Sequence, residues 1–115
     1  MLESSIAADC KKYFIKKYEA IKEYNILINP DTNYPLFFDI YLPRENIFIE
    51  INGKQHYVRN SFYNRTEEEF EYQKKKDRMK RKFARKNGTY IEVDLRKIKT
   101  TEDAIVYIEN IINKL

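Results

Sequence analysis

The sequence contains no tryptophan, one cysteine, one histidine, two glycines and three prolines. A single cysteine, Cys10, cannot form an internal disulfide, which excludes a disulfide-stabilised scaffold and is consistent with a reducing compartment. Glycine and proline mark turns and loops, so their scarcity leaves few such signals in the sequence. Neither a repeat nor a low-complexity tract is present. The sequence also lacks a Gly-rich phosphate loop, zinc-ligand spacing, a G-x-S-x-G motif and a Cys–His arrangement, so those site types are not indicated.

Long apolar runs are also missing, because no stretch approaches the roughly 20 residues that a membrane span needs. The N-terminal segment carries Glu3 and Asp9 and has no continuous apolar region, so we expect no signal peptide. With 115 residues, the chain is predicted to form a single domain, residues 1–115, around one core. These absences predict a cytoplasmic domain that has no contact with a membrane.

Positive charge is concentrated in one segment rather than spread along the chain. The net charge is only +4, from 22 Lys and Arg against 18 Asp and Glu. Between Lys74 and Lys86, however, nearly every charged residue is basic and Asp77 is the lone acid. Such a segment indicates a polyanionic partner. The alternative is a solvated helix face, whose acids come first and bases last to complement the helix dipole.

Hydrophobic spacing and turn residues predict seven elements in the order α-β-β-β-α-β-α. The helices are predicted over Ser5 to about Glu23, Thr66 to about Asn87, and from Thr100 onward with an apolar stripe that includes Leu115. The strands are predicted over Tyr24–Ile28, Leu36–Leu42, Ile47–Asn52 and Tyr90–Leu95. Thr66 and Glu69 fit a capping box, and Gly88 fits a helix stop. This order predicts an α/β sandwich around a mixed sheet.

Two acids interrupt strands that are otherwise apolar. Alternation places the three isoleucines of the third strand on one face, and Phe48, Glu50 and Asn52 on the other. Asp39 interrupts the second strand, and a tight turn at residues 43–46 would direct both acids into one cleft. Two carboxylates in apolar surroundings are unfavourable unless a divalent cation such as Mg²⁺ or Mn²⁺ neutralises them. The alternative is an edge strand with solvent-facing acids.

Four motifs in order resemble the PD-(D/E)XK nuclease superfamily, and within it the small phage-type endonucleases of the very-short-patch-repair and EDxHD branch. They are Phe38-Asp39-Ile40-Tyr41-Leu42-Pro43, Ile49-Glu50-Ile51-Asn52-Gly53-Lys54-Gln55-His56, Asp77-Arg78-Met79-Lys80 and Tyr90-Ile91-Glu92-Val93. The resemblance covers about residues 36–93. It implies a restriction-endonuclease-like sandwich with a central mixed four-stranded sheet, and a metal-dependent DNA endonuclease that hydrolyses phosphodiester bonds with Mg²⁺-activated water. A phage-encoded chain would act in the host cell.

The same resemblance implies that Asp39 and Glu50 bind the metal, with Mg²⁺ or Mn²⁺ as the cofactor. Family members often add an acid near the start of the first helix, and Glu3 is the best-placed residue here, with Asp9 as the alternative. His56 matches the histidine of the EDxHD pattern.

This sequence matches the family pattern at one further residue and departs from it at another. Asp77 matches the acid of the EDxHD pattern. Asn52 stands where the superfamily usually has a lysine, so Gln55, His56 or Lys80 would have to replace that lysine.

Nucleic acid is the expected partner, with phosphates held without reading of sequence. The residues expected to bind it are Lys54, Lys75, Lys76, Arg78, Lys80 and Arg81. DNA is the predicted substrate; the sequence leaves RNA, target specificity and oligomeric state open, and a homodimer is one route to specificity. Two alternatives are a non-catalytic nucleic-acid-binding domain that retains the fold, supported by Asn52, and a structural subunit with a charged surface.

Overall fold

A computed structural model describes residues 4–59 and 66–115 of the chain. Its four strands are β1 (Ile21–Ile28), β2 (Pro35–Leu42), β3 (Ile47–Asn52) and β4 (Thr89–Asp94). They form one sheet in the spatial order β1-β2-β3-β4, in which β1, β2 and β3 pair antiparallel and β4 pairs parallel to β3. The helices are α1 (Ser5–Tyr18), α2 (Glu67–Asn87) and α3 (Thr101–Ile112), with a short 3-10 turn at Lys54–His56. The predicted element order and the mixed four-stranded sheet are confirmed.

The sheet is covered on both faces, so its central strand β3 is buried along its whole length. On one face, the isoleucines of β3 pack with Phe14 of α1 and Ile108 of α3 in the larger core cluster. On the other face, Phe48 of β3 packs with Phe38 and with Ala84 of α2. The predicted division of β3 into an isoleucine face and a mixed face is therefore correct. It places Glu50, the acid of β3, under α2.

Two predicted helix limits are wrong. The first helix ends at Tyr18 instead of near Glu23, because Glu19 adopts a left-handed conformation with φ 56° and its N–H donates to the carbonyl of Ile15. Ile21, assigned to the stripe of that helix, consequently belongs to β1. Leu115, assigned to the apolar stripe of the last helix, lies beyond α3 and is 70% exposed. Among the described helices, none combines the length and apolar content needed to cross a membrane.

The limits of α2 were predicted correctly. Thr66 and Glu69 form the expected capping box, with each side chain bound to the backbone N–H of the other. Gly88 ends the helix with φ 175°, which is extended backbone. A Cβ atom there would lie 2.1 Å from the carbonyl oxygen of Asn46. The glycine is therefore required by the close approach of the β2–β3 turn to the end of α2.

β2 departs from regular alternation at Asp39. Phe38 packs toward α2, whereas Ile40 packs in the cluster on the opposite face, although regular alternation would put both on one face. The β2–β3 ladder stops at the Ile40–Ile49 pair. Beyond this pair, the backbone N–H of Ile51 donates to Oδ2 of the Asp39 side chain over 2.8 Å instead of to the backbone of β2. This irregularity anchors Asp39 next to β3.

Candidate active site

Asp39 and Glu50 adjoin each other at the place where β2 and β3 separate. Glu50 has only 3% of its surface exposed, because β3 is an inner strand covered by α2. Asp39 is partly buried and is held by the backbone of Ile51. The structure thus brings together the two acids that the sequence predicted to share a cleft.

Burial raises the pKa of the Glu50 carboxyl well above its ordinary value, and the neighbouring charge of Asp39 raises it further. The ammonium group of Lys80 opposes this effect but does not reverse it. Glu50 is therefore a carboxylate for which the folded protein provides too little positive charge. Such a group is suited to bind a cation.

Lys80 reaches the pair from α2. Its Nζ lies 3.0 Å from Oε1 of Glu50, and only 13% of the Lys80 side chain is exposed. The approach is an ion pair rather than a well-directed hydrogen bond, since Oε1 meets no donor at hydrogen-bonding angles within the described part of the chain. Nζ also donates to the carbonyl oxygen of Phe37 over 3.2 Å. The lysine is therefore fixed between β2 and β3.

Asn52, His56 and Asp77 lie together beside this pair. Asn52 is buried on the same face of β3 as Glu50, as predicted. Nδ1 of His56 lies 3.0 Å from Oδ2 of Asp77. The other oxygen of Asp77 accepts a hydrogen bond from Gln73, one helical turn earlier, over 3.0 Å. The single histidine and the lone acid of the basic segment are thus direct partners.

Glu92 is a further acid in the site that sequence reasoning did not assign. In the parallel register of β3 and β4 it stands beside Glu50. It accepts hydrogen bonds from the hydroxyls of Tyr57 and Tyr90 over 2.8 and 2.7 Å, and Arg81 Nη1 lies 3.4 Å from it. The signal was present, because Glu92 separates Ile91 from Val93 as Glu50 separates Ile49 from Ile51. Its partners suggest a positioning residue that holds Tyr57 and Arg81.

The comparisons with known proteins leave the family open. No family model and no solved structure matches the chain. A similar sequence is "Uncharacterized protein 033L" of Invertebrate iridescent virus 3, which is 37% identical over 65 residues. The match covers 56% of this chain and 34% of the viral protein, so the chain spans about a third of that relative's length. The viral protein is uncharacterised, so this similarity assigns no activity to the chain.

Other candidate residues lie apart from the two acids or outside the described residues. Glu3, the proposed third acid, falls outside the described residues. Its alternative, Asp9, is not in the site, because α1 packs on the opposite face of the sheet and Asp9 accepts a hydrogen bond there from Thr101. Gln55 folds back toward Gly53, and Lys54 is exposed on the same 3-10 turn.

The predicted nucleic-acid-binding residues of α2 differ in their partners. Lys75 pairs with Asp31 over 2.7 Å, while Lys80 and Arg81 pair with Glu50 and Glu92. Lys76 lies over the ring of Tyr72, with Nζ 5.3 Å from its centroid. Arg78 is exposed and has no acid partner among residues 4–59 and 66–115. Much of the charge on this helix is therefore already engaged within the protein.

Proposed function

We propose that the protein is a metal-dependent DNA endonuclease with a PD-(D/E)XK, restriction-endonuclease-like fold, and that it hydrolyses phosphodiester bonds. The observation that carries this proposal is the pair formed by partly buried Asp39 and buried Glu50, of which Lys80 contacts Glu50 from α2. The α/β architecture and its mixed four-stranded sheet support the fold assignment. The motif resemblance across residues 36–93 supports the reaction class.

The donor set fits a hard divalent cation. Mg²⁺ and Mn²⁺ prefer oxygen ligands, and Mg²⁺ is commonly held by one or two carboxylates together with water and substrate phosphate oxygens. Asp39 and Glu50 supply the two carboxylates, while no cluster of three His, Cys, Asp or Glu residues occurs in the described ranges. When bound, the ion would lower the pKa of a coordinated water and neutralise charge developing on the phosphate.

Lys80 is the residue we assign to the place of the missing lysine. Asn52 is neutral and cannot offset phosphate charge, whereas Lys80 brings an ammonium group to Glu50 from α2. Its contact with the Phe37 carbonyl holds that group beside both strands that carry the acids. A cation fixed there in advance stabilises negative charge on a phosphate without reorganisation during the reaction.

His56 and Asp77 form the second functional pair. Because Asp77 contacts Nδ1 of the imidazole, the other ring nitrogen is directed away from the acid. Near neutral pH an imidazole held in this way exchanges a proton with water or donates one to a phosphate oxygen. Gln73 fixes Asp77 in turn. We assign His56 to proton transfer or phosphate contact and Asp77 to its orientation.

Cleavage of a panel of nucleic acids tests this assignment. Supercoiled, linear duplex, single-stranded and nicked DNA and an RNA of the same sequence are each incubated with the protein in Mg²⁺, Mn²⁺ or EDTA. We expect DNA to be cut in both metals and no substrate to be cut in EDTA. Glu50→Gln, purified in parallel, controls for contaminating nucleases.

The second candidate is a nucleic-acid-binding domain that retains the fold without cutting. The observation that favours it is that Lys80 already neutralises Glu50 in part, while Asn52 supplies no charge at the usual lysine position. Salt-sensitive DNA binding without cleavage in any metal would support this alternative, because phosphate contacts release counterions. Cleavage lost in Glu50→Gln would exclude it.

A further inference from the structure

A strongly basic recess lies next to the Asp39–Glu50 pair. Of the residues that line it, the proposed reaction uses only His56 and Asp77. The volume of the recess is about 310 Å³. We call it the basic cavity and define it by four cationic residues, Lys74, Arg78, Arg81 and Arg96, together with Asn52 and His56. It is bounded by the end of β3, the 3-10 turn, one side of α2 and the turn that follows β4.

The cations of the basic cavity exceed the acids around them. Arg81 pairs with Glu92, and Arg96 pairs with Asp94 over 2.7 Å. Lys74 and Arg78 have no acid partner within the parts of the chain that the structure describes. Asp77, which also lines the cavity, is engaged by His56 and Gln73. An anion in the cavity would therefore find positive charge that no acid of the described residues neutralises.

The lining favours a phosphate over a nucleobase. One face of the Tyr57 ring in the lining is covered by Arg96, whose guanidinium carbon lies 3.9 Å from the ring centroid. The hydroxyl of Tyr57 is engaged by Glu92. Four of the eight lining residues carry cationic groups, and guanidinium groups match phosphate oxygens in a two-point geometry.

The position of the cavity relates it to the scissile phosphate. Asn52 lies two residues beyond Glu50 on the same strand, so their Cα atoms are about 7 Å apart. A DNA strand whose scissile phosphate contacted Glu50 and Lys80 would therefore bring a neighbouring phosphate close to Asn52 and the arginines.

We propose that the basic cavity binds a second substrate phosphate, the one next to the scissile phosphate along the cut strand. This proposal rests on the proposed function for the identity of the cleavage site. The bound group is a phosphate, either within the strand or at its end. Arg96, held by Asp94 and Tyr57, provides a fixed contact. Lys74 and Arg78 add positive charge that has no acid partner in residues 4–59 and 66–115.

Binding of inorganic pyrophosphate tests the cavity without any cleavage. The Glu50→Gln protein is titrated in EDTA, and the NMR shifts of Asn52, His56 and the arginine Nε–H groups are followed. The cavity variant Lys74→Gln/Arg78→Gln is compared with Lys82→Gln/Lys86→Gln, which makes the same charge change at the same spacing on exposed positions of α2. We expect the cavity variant to raise the Kd about tenfold or more and the control to raise it less than about twofold. Equal weakening, or shifts confined to other residues, would overturn the proposal.

Modified substrates separate the two sources of phosphate. In one arm, a single neutral methylphosphonate replaces the phosphate on either side of the scissile bond; in the other, a terminal phosphate next to that bond is present or absent. If the cavity binds a phosphate within the strand, the methylphosphonate slows cleavage by the wild type. If it binds a terminal phosphate, removal of that terminal phosphate slows cleavage by the wild type. Neither change affects the rate of the Lys74→Gln/Arg78→Gln variant. A wild-type protein that cuts and responds to neither change contradicts the cavity proposal alone. Pyrophosphate binding in the cavity without any cleavage contradicts the nuclease assignment alone.

Discussion

The charges of Asp39 and Lys80 act on Glu50 in opposite directions, and burial is the largest cause of its raised pKa. In the metal-free protein the carboxyl therefore retains its proton to a higher pH than it would in the unfolded chain. A divalent cation would displace that proton, because metal ligands bind in their deprotonated form. The affinity for Mg²⁺ should accordingly increase with pH.

The stability of the metal-free protein should depend on this proton. Between the ordinary Glu value near 4.5 and the raised value, the folded state binds more protons than the unfolded state, so stability falls as the pH rises. Urea denaturation in EDTA at a series of pH values should show this fall in the wild type. Glu50→Gln should lack that component and be the more stable protein at the higher pH. Parallel curves for the two proteins would contradict the raised pKa.

Lys80 should be required for cleavage although it belongs to a helix rather than to β3. Lys80→Met keeps the aliphatic stem and removes the charge beside Glu50. We expect single-turnover cleavage at saturating metal to slow at least tenfold, which corresponds to about 1.4 kcal/mol of transition-state stabilisation. Lys82→Met, on an exposed position of the same helix, is the matched control. A rate equal to that of the control would remove Lys80 from the site.

His56 and Asp77 should act as one unit. His56→Ala and Asp77→Asn are each expected to slow cleavage about tenfold, because the acid acts through the imidazole that it contacts at 3.0 Å. The double variant should then be little slower than either single variant, since coupled residues are not additive. Single-turnover rates of the three variants measure this coupling. Multiplied losses in the double variant would mean that the two residues act independently.

The strands illustrate what could be predicted from the sequence. Glu50 and Asp39 were predictable because alternation makes an acid in an apolar strand conspicuous, and the 43–46 turn forces antiparallel pairing. Glu92 follows the same pattern, but its position beside Glu50 depends on the β3–β4 register, which joins segments about 40 residues apart. The sequence offered Lys80 only as one of three substitutes. Which one reaches Glu50 depends on how α2 packs.

The helix limits show where local pattern is insufficient. α2 was predictable because Thr66 and Glu69 form a capping box whose partners are close in sequence. The end of α1 was not, since Glu19 stops the helix in a left-handed conformation that glutamate seldom adopts. Gly88 was correctly predicted as a stop, but its close contact with the distant Asn46 backbone is a tertiary feature.

That contact predicts a stability effect at the junction of α2 and β4. Gly88→Ala would place its Cβ 2.1 Å from the carbonyl oxygen of Asn46, so the β2–β3 turn or the helix end must shift. We expect a loss of about 1–3 kcal/mol in the free energy of unfolding, the usual cost of overpacking. Lys86→Ala, on an exposed position of the same helix, is the control. Denaturant unfolding that ranks the two variants equally would contradict this reading of Gly88.

In the molecule as a whole, the sheet separates the larger hydrophobic core from the charged residues of the site. α1 and α3 complete the larger core on one face, and α2 brings its charges to the acids of β2 and β3 on the other. The element order could be predicted because hydrophobic periods and turns are local. The resemblance singled out His56 and Asp77, but their direct contact depends on tertiary packing. The basic cavity arises from four separate segments and could not be foreseen.

The most direct test of the proposed metal-dependent mechanism is single-turnover cleavage of a DNA substrate by the wild type, Asp39→Asn and Glu50→Gln, each with Mg²⁺ and with excess EDTA. Both substitutions preserve size and remove a metal-binding charge, and circular dichroism verifies that each variant is folded. We expect the wild type to cut in Mg²⁺ and not in EDTA, and neither variant to cut in either condition. Cleavage by the wild type that persists in EDTA, or wild-type rates in both variants, would contradict this mechanism.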